Sequence, residues 1–356
     1  MGIFCKIGVV EDKNELTPGS VVSGAIKYAF DKDTVVKRIV ISLKGRGHLC
    51  ITNHSETGSS QSSSSDTMSE LYVSIENVIL NDISGEHLEN GEYDTPFNFL
   101  LPENIPGSLK YEETGLSTDI ECKIAYFIRI KFEVIGFLKF NKKFEKEINI
   151  AHVLKPRLSM EPVTYGARNQ FFQPFKIKKS FVNVKACIKC SVLEPGGKVE
   201  IAYEVLNDSN KIVEAIETKL VTVYKFYYHH DEKNYFKPEP EEVKNTESKT
   251  SAIKSGETLE SSFEIEIPFD LHCIGDNKLV SRDYAVAIIA HLPMPHINVR
   301  LEIPIQVGKT SVVHPVSNID GSPVEYDSPP SYWEAMNVAN EKGVSSDNRF
   351  FGDAKK

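Results

Sequence analysis

The stretch "LTPGSVVSGAIKYAFDKDTVVKRIVISL", Leu16 to Leu43, aligns without a gap on "LEPGGKVEIAYEVLNDSNKIVEAIETKL", Leu193 to Leu220. Pro18-Gly19 matches Pro195-Gly196, Val22 matches Val199, Val36 matches Val213 and Ile39 matches Ile216. The correspondence continues in order. Phe97, Phe99, Leu101 and Pro102 match Phe263, Ile265, Ile267 and Pro268, and Tyr126 matches Tyr284. A repeat of this length means two structurally similar domains in tandem. A chain of 356 residues can supply each with its own core.

Within each repeat the apolar period is two. Val22, Ile26, Tyr28 and Phe30 share one face, as do Val35, Ile39, Ile41 and Leu43 on the following segment. Clusters of Gly, Pro, Asn, Asp and Ser interrupt these runs every 8 to 12 residues, about the spacing of an antiparallel sandwich. The expected fold is therefore all-β: two tandem immunoglobulin-like sandwiches over 1–150 and 176–308, a linker over 151–175, and a flexible tail over 309–356. Each Pro-Gly pair suits a turn, since Pro presets one dihedral and Gly accepts a positive one. One short helix is expected around Leu80 to Asn90. Two insertions stand out, a Ser-rich hairpin over His54 to Glu70 and the long charged segment His229 to Glu260. Both read as surface loops that add nothing to a core and are candidates for phosphorylation.

The net charge of -9 argues against a general nucleic-acid binder, which needs a clustered excess of Lys and Arg. No apolar run is long enough to span a bilayer, and "MGIFCKIGVV" reads as a first strand rather than a secretory or lipidation signal. Six thinly spread cysteines suit a reducing compartment, so a cytoplasmic location is expected. There the glycosylation patterns at Asn53 and Asn207 would be inert.

Catalytic grammar is sparse, and no cofactor or metal is expected. Ser251 and Lys254 nominally fit Ser-x-x-Lys but sit in a polar segment with no desolvated pocket to activate the lysine. The run His229 to Glu232 alternates faces and cannot close on one ion. Cys187-x-x-Cys190 has no second pair, and its thiols are expected on opposite faces of a strand. "LKGRGH", Leu43 to His48, follows a strand but opens no helix, so a turn or bulge is expected instead of a phosphate loop.

One segment does carry a binding signal. In "DSPPSYWEAM", Pro329 and Pro330 favour polyproline II, which lowers the ordering cost of binding, and Tyr332 adds an aromatic anchor. This is the ligand grammar of a WW domain's aromatic groove. Trp333 and Met336, three residues apart, would share one face of a short helix beside it.

Taken together, "LTPGSVVSGAIKYAF", "RIVISLKGRGH", "FNFLLPENIPGSLKY", "LEPGGKVEIAYEVLN", "YAVAIIAHLPMPHINVRLEIPIQVG" and "PPSYWEAM" resemble the α-arrestins, the arrestin domain-containing branch of the arrestin superfamily. The resemblance implies a non-catalytic adaptor recruited peripherally to plasma membrane and endosomes. Its sandwiches would engage membrane-protein cargo, and Pro329, Pro330 and Tyr332 would recruit the WW domains of a HECT-type ubiquitin ligase for cargo ubiquitination, endocytosis and transport. A retromer-like endosomal sorting scaffold and a signalling arrestin that regulates receptors are the alternatives within the same fold. This chain departs from the family in two ways. It holds one such motif where relatives often hold two, and Trp333 stands where Glu is common.

Overall fold

A computed structural model describes residues 2–10, 15–57, 60–135, 141–171, 180–227, 235–275 and 277–310. Every regular element among them is a strand. The first half contains β1 (Ile3–Val9), β2 (Val21–Phe30), β3 (Thr34–Thr57), β4 (Ser60–Leu88), β5 (Gly91–Leu100), β6 (Leu109–Thr114), β7 (Thr118–Val134) and β8 (Asn141–Ile148). They form a three-stranded sheet, β1-β2-β5, and a five-stranded one, β4-β3-β7-β6, with β8 also on β7. The alternating faces bury Val22, Ile26 and Phe30 of one sheet against Ile41, Leu43, Ile128 and Phe132 of the other.

The second half contains β9 (Val163–Phe171), β10 (Ser180–Ile188), β11 (Val192–Leu193), β12 (Lys198–Asp208), β13 (Ala215–Tyr227), β14 (Tyr235–Phe236), β15 (Glu241–Glu242), β16 (Ser248–Lys249), β17 (Thr258–Glu266), β18 (Val280–His291) and β19 (Val299–Val307). A four-stranded sheet, β17-β12-β10-β9, faces the larger sheet β11-β19-β18-β13-β14, and a second core fills the space between them. β9 lies inside the stretch that the sequence reads as linker, where it pairs with β10.

The repeat survives at atomic detail. Val22 and Val199 are fully buried and face Phe99 and Ile265 across equivalent ladders. Gly19 and Gly196 both take the left-handed conformation, with φ of 81° and 79°, which a side chain would strain. Tyr126 and Tyr284, opposite Gly45 and Thr222, plug the two cores. The Tyr126 hydroxyl donates to the Pro106 carbonyl at 2.6 Å.

The structure corrects three expectations. There is no helix at Leu80–Asn90: β4 continues to Leu88, paired to β3. A bulge there leaves Ile79 without an opposite residue, which breaks the alternation and mimics helical spacing. The Ser-rich hairpin extends β3 and β4 as paired strands, but it does contribute to a core, because its Met68 is buried in the first one. The described part of the charged segment is laid along β13 through β14, β15 and β16 rather than looping free. At "LKGRGH" the expected irregularity is present, as a register shift between Gly45 and Arg46 inside β3.

Candidate docking surfaces

Pro329, Pro330, Tyr332, Trp333 and Met336 lie outside the described residues, as does His229 to Glu232. The last described residue, Thr310, has a defined position. It bridges Leu154 in parallel, the Leu154 amide donates to the Lys309 carbonyl at 2.9 Å, and Lys309 pairs with Glu15 at 2.8 Å. The chain therefore departs from a point tied to both halves.

On the outer face of the five-stranded sheet, register collects side chains that are far apart in sequence. β3 and β7 set Arg46 opposite Ala125 and His48 opposite Lys123. With Phe127, Lys143 and Glu145 these residues line a cleft of about 240 Å³. Its floor is Ala125, only 3% exposed although it faces outward, because longer neighbours overhang it. Glu145 is shared between Arg129 and Lys143 at 2.7 Å each, while Lys123 reaches Glu147 at 3.4 Å. Arg46 is exposed and has no acidic partner among the described residues, and the exposed Leu71 stands opposite it on β4. Cations thus outnumber carboxylates around an apolar floor, an environment suited to an anionic segment carrying an apolar side chain. Sequence reasoning missed this cleft. No local motif encodes it, because its members come from three strands joined only by pairing.

The outer face of the C-terminal sheet is different. Val221, Val223, Ala285, Ala287 and Ile289 form a buried apolar strip. Beside it Glu217, 5% exposed, contacts Lys219 at 2.7 Å, His291 at 2.7 Å and Lys249 at 3.3 Å. Burial opposes its charge, but these three partners outweigh that cost and hold its carboxyl down at about 2. Glu242 and Glu247 approach Glu217 closely enough to share a metal ion, yet cationic side chains already occupy its oxygens. The group does not fit a metal site.

Between the two halves the packing is continuous. Tyr224, Phe226, Leu279 and Val280 belong to the first domain's core. Tyr111 of β6 packs on Tyr224 and Phe226, with ring centroids 4.5 and 5.1 Å away. A Cβ on Gly47 would come within 2.3 Å of Leu279, so the glycine permits the close approach. The rings of His152 and His272 lie 4.3 Å apart across the same seam. Burial, followed by the neighbouring imidazole and Arg282, pushes His152 down to about 3. Burial and Arg282 push His272 down to about 4. Both are therefore neutral at physiological pH.

The other sequence candidates find ordinary structural roles. Lys254 is exposed, and its backbone amide donates to Glu257 in a turn. Cys187 lies in β10, but Cys190 lies beyond its end and donates to the Val192 carbonyl at 3.1 Å. Burial raises the thiols of Cys5, Cys122 and Cys273 to about 11, 12 and 12. Those groups are poor nucleophiles. Asn207 is fully buried and donates to the carbonyls of Lys211, Ile253 and Lys254, so no glycan can be added to it in the folded chain.

Residues 5–156 match the family model described as arrestin (or S-antigen), N-terminal domain, and residues 179–312 match arrestin (or S-antigen), C-terminal domain. No curated protein matches the chain.

Proposed function

The chain belongs to the arrestin superfamily, and from that premise we propose that it is a non-catalytic adaptor of the α-arrestin type. Arrestin-family proteins generally bind receptors or cargo and trafficking machinery without catalysing a reaction. In this reading the sandwiches hold the cytosolic part of a membrane protein, with the Arg46 cleft as one contact. Pro329, Pro330 and Tyr332 bind a WW domain of a HECT-type ubiquitin ligase. The protein is recruited peripherally to plasma membrane or endosome, where the cargo is ubiquitinated and sorted.

The observation that carries the reading is the Pro-Pro-x-Tyr motif in a segment that follows both arrestin domains. From Thr310, the 19 residues to Pro329 can span at most about 65 Å. A WW domain could therefore be held beside the cargo without touching the sandwiches. Because there is one motif, affinity gains nothing from simultaneous engagement of several WW domains.

Calorimetric titration of a Ser322 to Gly343 peptide with WW domains of such a ligase tests the proposal, beside a Tyr332→Ala peptide. Saturable binding that the substitution abolishes is expected; equally weak binding of both peptides removes the basis for a ligase adaptor. Trp333→Ala is expected to weaken binding by about 1 kcal/mol if its helix docks beside the groove. An unchanged affinity would make Trp333 a bystander.

A further inference from the structure

We propose that Ser63 is a phosphorylation site for an acid-directed Ser/Thr protein kinase, and that His54 on the facing strand receives its phosphate. This inference is independent of the ligase reading. β7 stops flanking β3 at the pair Asn53 and Thr118. The His54 amide still donates to the Ser117 carbonyl at 2.8 Å, so the ribbon has only two strands beyond the pair His54 and Ser63, running on to Thr57 and Ser60, and Ser63 stands on its edge strand β4. A two-stranded ribbon is marginal by itself and opens at little cost. Ser63 is exposed and can be presented to an enzyme in extended form.

The flanking charge selects the class of enzyme. Between Arg46 and Lys110 there is no Lys or Arg, whereas Glu56, Asp66, Glu70 and Glu76 all fall in that interval. Asp66 lies three residues after Ser63 and is exposed. A kinase that reads basic residues has nothing to hold, while one whose cationic groove reads carboxylates after the acceptor does. The γ-phosphoryl group of a nucleoside triphosphate moves to Ser63 Oγ. An O–P bond forms, the β–γ bond breaks, the hydroxyl proton passes to the kinase's base and the diphosphate leaves.

The product has a partner waiting. Directly opposed side chains in an antiparallel pair are about 5 Å apart at Cβ. His54 already places Nε2 at 2.8 Å from Asp119 Oδ2, so in the imidazolium form its Nδ1–H can donate to the incoming dianion. Thr67 also precedes an acid by three residues, Glu70, but it opposes Cys50 where β7 still flanks β3 and brings up Glu121. There β3 is flanked on both sides, and Thr67 faces Cys50, which offers no cation to a phosphate.

The test incubates the folded full-length chain with an acid-directed Ser/Thr kinase and ATP, then maps phosphate by mass spectrometry. Phosphate at Ser63 is expected, whatever is added at Ser317, Ser322 and Ser331, which also precede an acid by three residues; the Ser63 phosphopeptide should be absent in Ser63→Ala and reduced at least about tenfold in Asp66→Asn, as loss of a charge-assisted contact requires. An unmodified Ser63 in a chain that becomes labelled once denatured overturns the proposal. So does labelling of Thr67 in preference to Ser63, or indifference to Asp66→Asn. For the receiving role, a ³¹P titration of the phosphorylated chain should give a lower second ionisation midpoint than in His54→Gln, and equal midpoints refute it.

Discussion

Gly45→Ala should destabilise the N-terminal sandwich far more than loss of a hydrogen atom suggests. A Cβ built at Gly45 would lie 2.4 Å from two carbons of the Tyr126 ring and 2.7 Å from Val73 Cγ1. Tyr126 is fully buried and cannot swing aside without losing its 2.6 Å bond to the Pro106 carbonyl. Forcing a methyl into a packed core costs about 1–3 kcal/mol. The broken buried hydrogen bond adds about 1–2 kcal/mol. Against this, replacing glycine in a strand recovers about 0.5–1 kcal/mol. The net expectation is a loss of about 2–3 kcal/mol. Gly91 is the control, because a Cβ there meets nothing within 4 Å and Gly91→Ala should stay within about 0.5 kcal/mol of wild type. Urea unfolding followed by far-ultraviolet circular dichroism measures both. Tyr126→Phe, which removes only the hydrogen bond, should be less than additive with Gly45→Ala, since the bond is lost once. A Gly45→Ala midpoint equal to that of Gly91→Ala would refute the reasoning.

The seam predicts a pH dependence. His152 and His272 titrate below the ordinary value near 6.5, so the unfolded chain binds more protons between that pH and about 4. Their contribution to stability is complete above pH 6.5 and is lost as pH falls through the folded values, and His152→Gln should flatten the unfolding free energy in that window by about 1–3 kcal/mol. A slope unchanged from wild type would count against the buried neutral pair. Glu217 behaves as a depressed carboxyl: its stabilisation is present above its ordinary range and is lost as pH falls toward about 2. Glu217→Ala should lower stability by about 1–3 kcal/mol at pH 7 in calorimetry, because it removes the largely buried partner of Lys219, His291 and Lys249, although Lys219 keeps Glu242. The raised thiols of Cys122 and Cys273 should resist alkylation at pH 8 in the folded chain and react promptly in urea, as followed by intact mass.

Much of the fold is legible in the sequence because alternation and turn chemistry are local. Val22, Ile26 and Phe30 alternate with polar neighbours, and Pro18-Gly19 encodes its turn wherever the segment goes. The repeat doubles that information, since each half predicts the other, as Tyr126 does Tyr284. The failures occurred where pairing overrides local signal. At Leu80 a bulge disguises a strand, and the Ser-rich run, poor in apolar residues, is strand because β3 supplies its hydrogen bonds. The Arg46 cleft is a product of register, which places β3, β7 and β8 side by side. The seam histidines, Arg282 and the Gly47 contact with Leu279 arise only once two folded halves meet. By itself the sequence determined two β-sandwiches, features written in short-range pattern and composition. Tertiary structure alone decided which charges converge, which histidines are neutral and which serine faces a histidine, because each depends on residues brought together by pairing and burial.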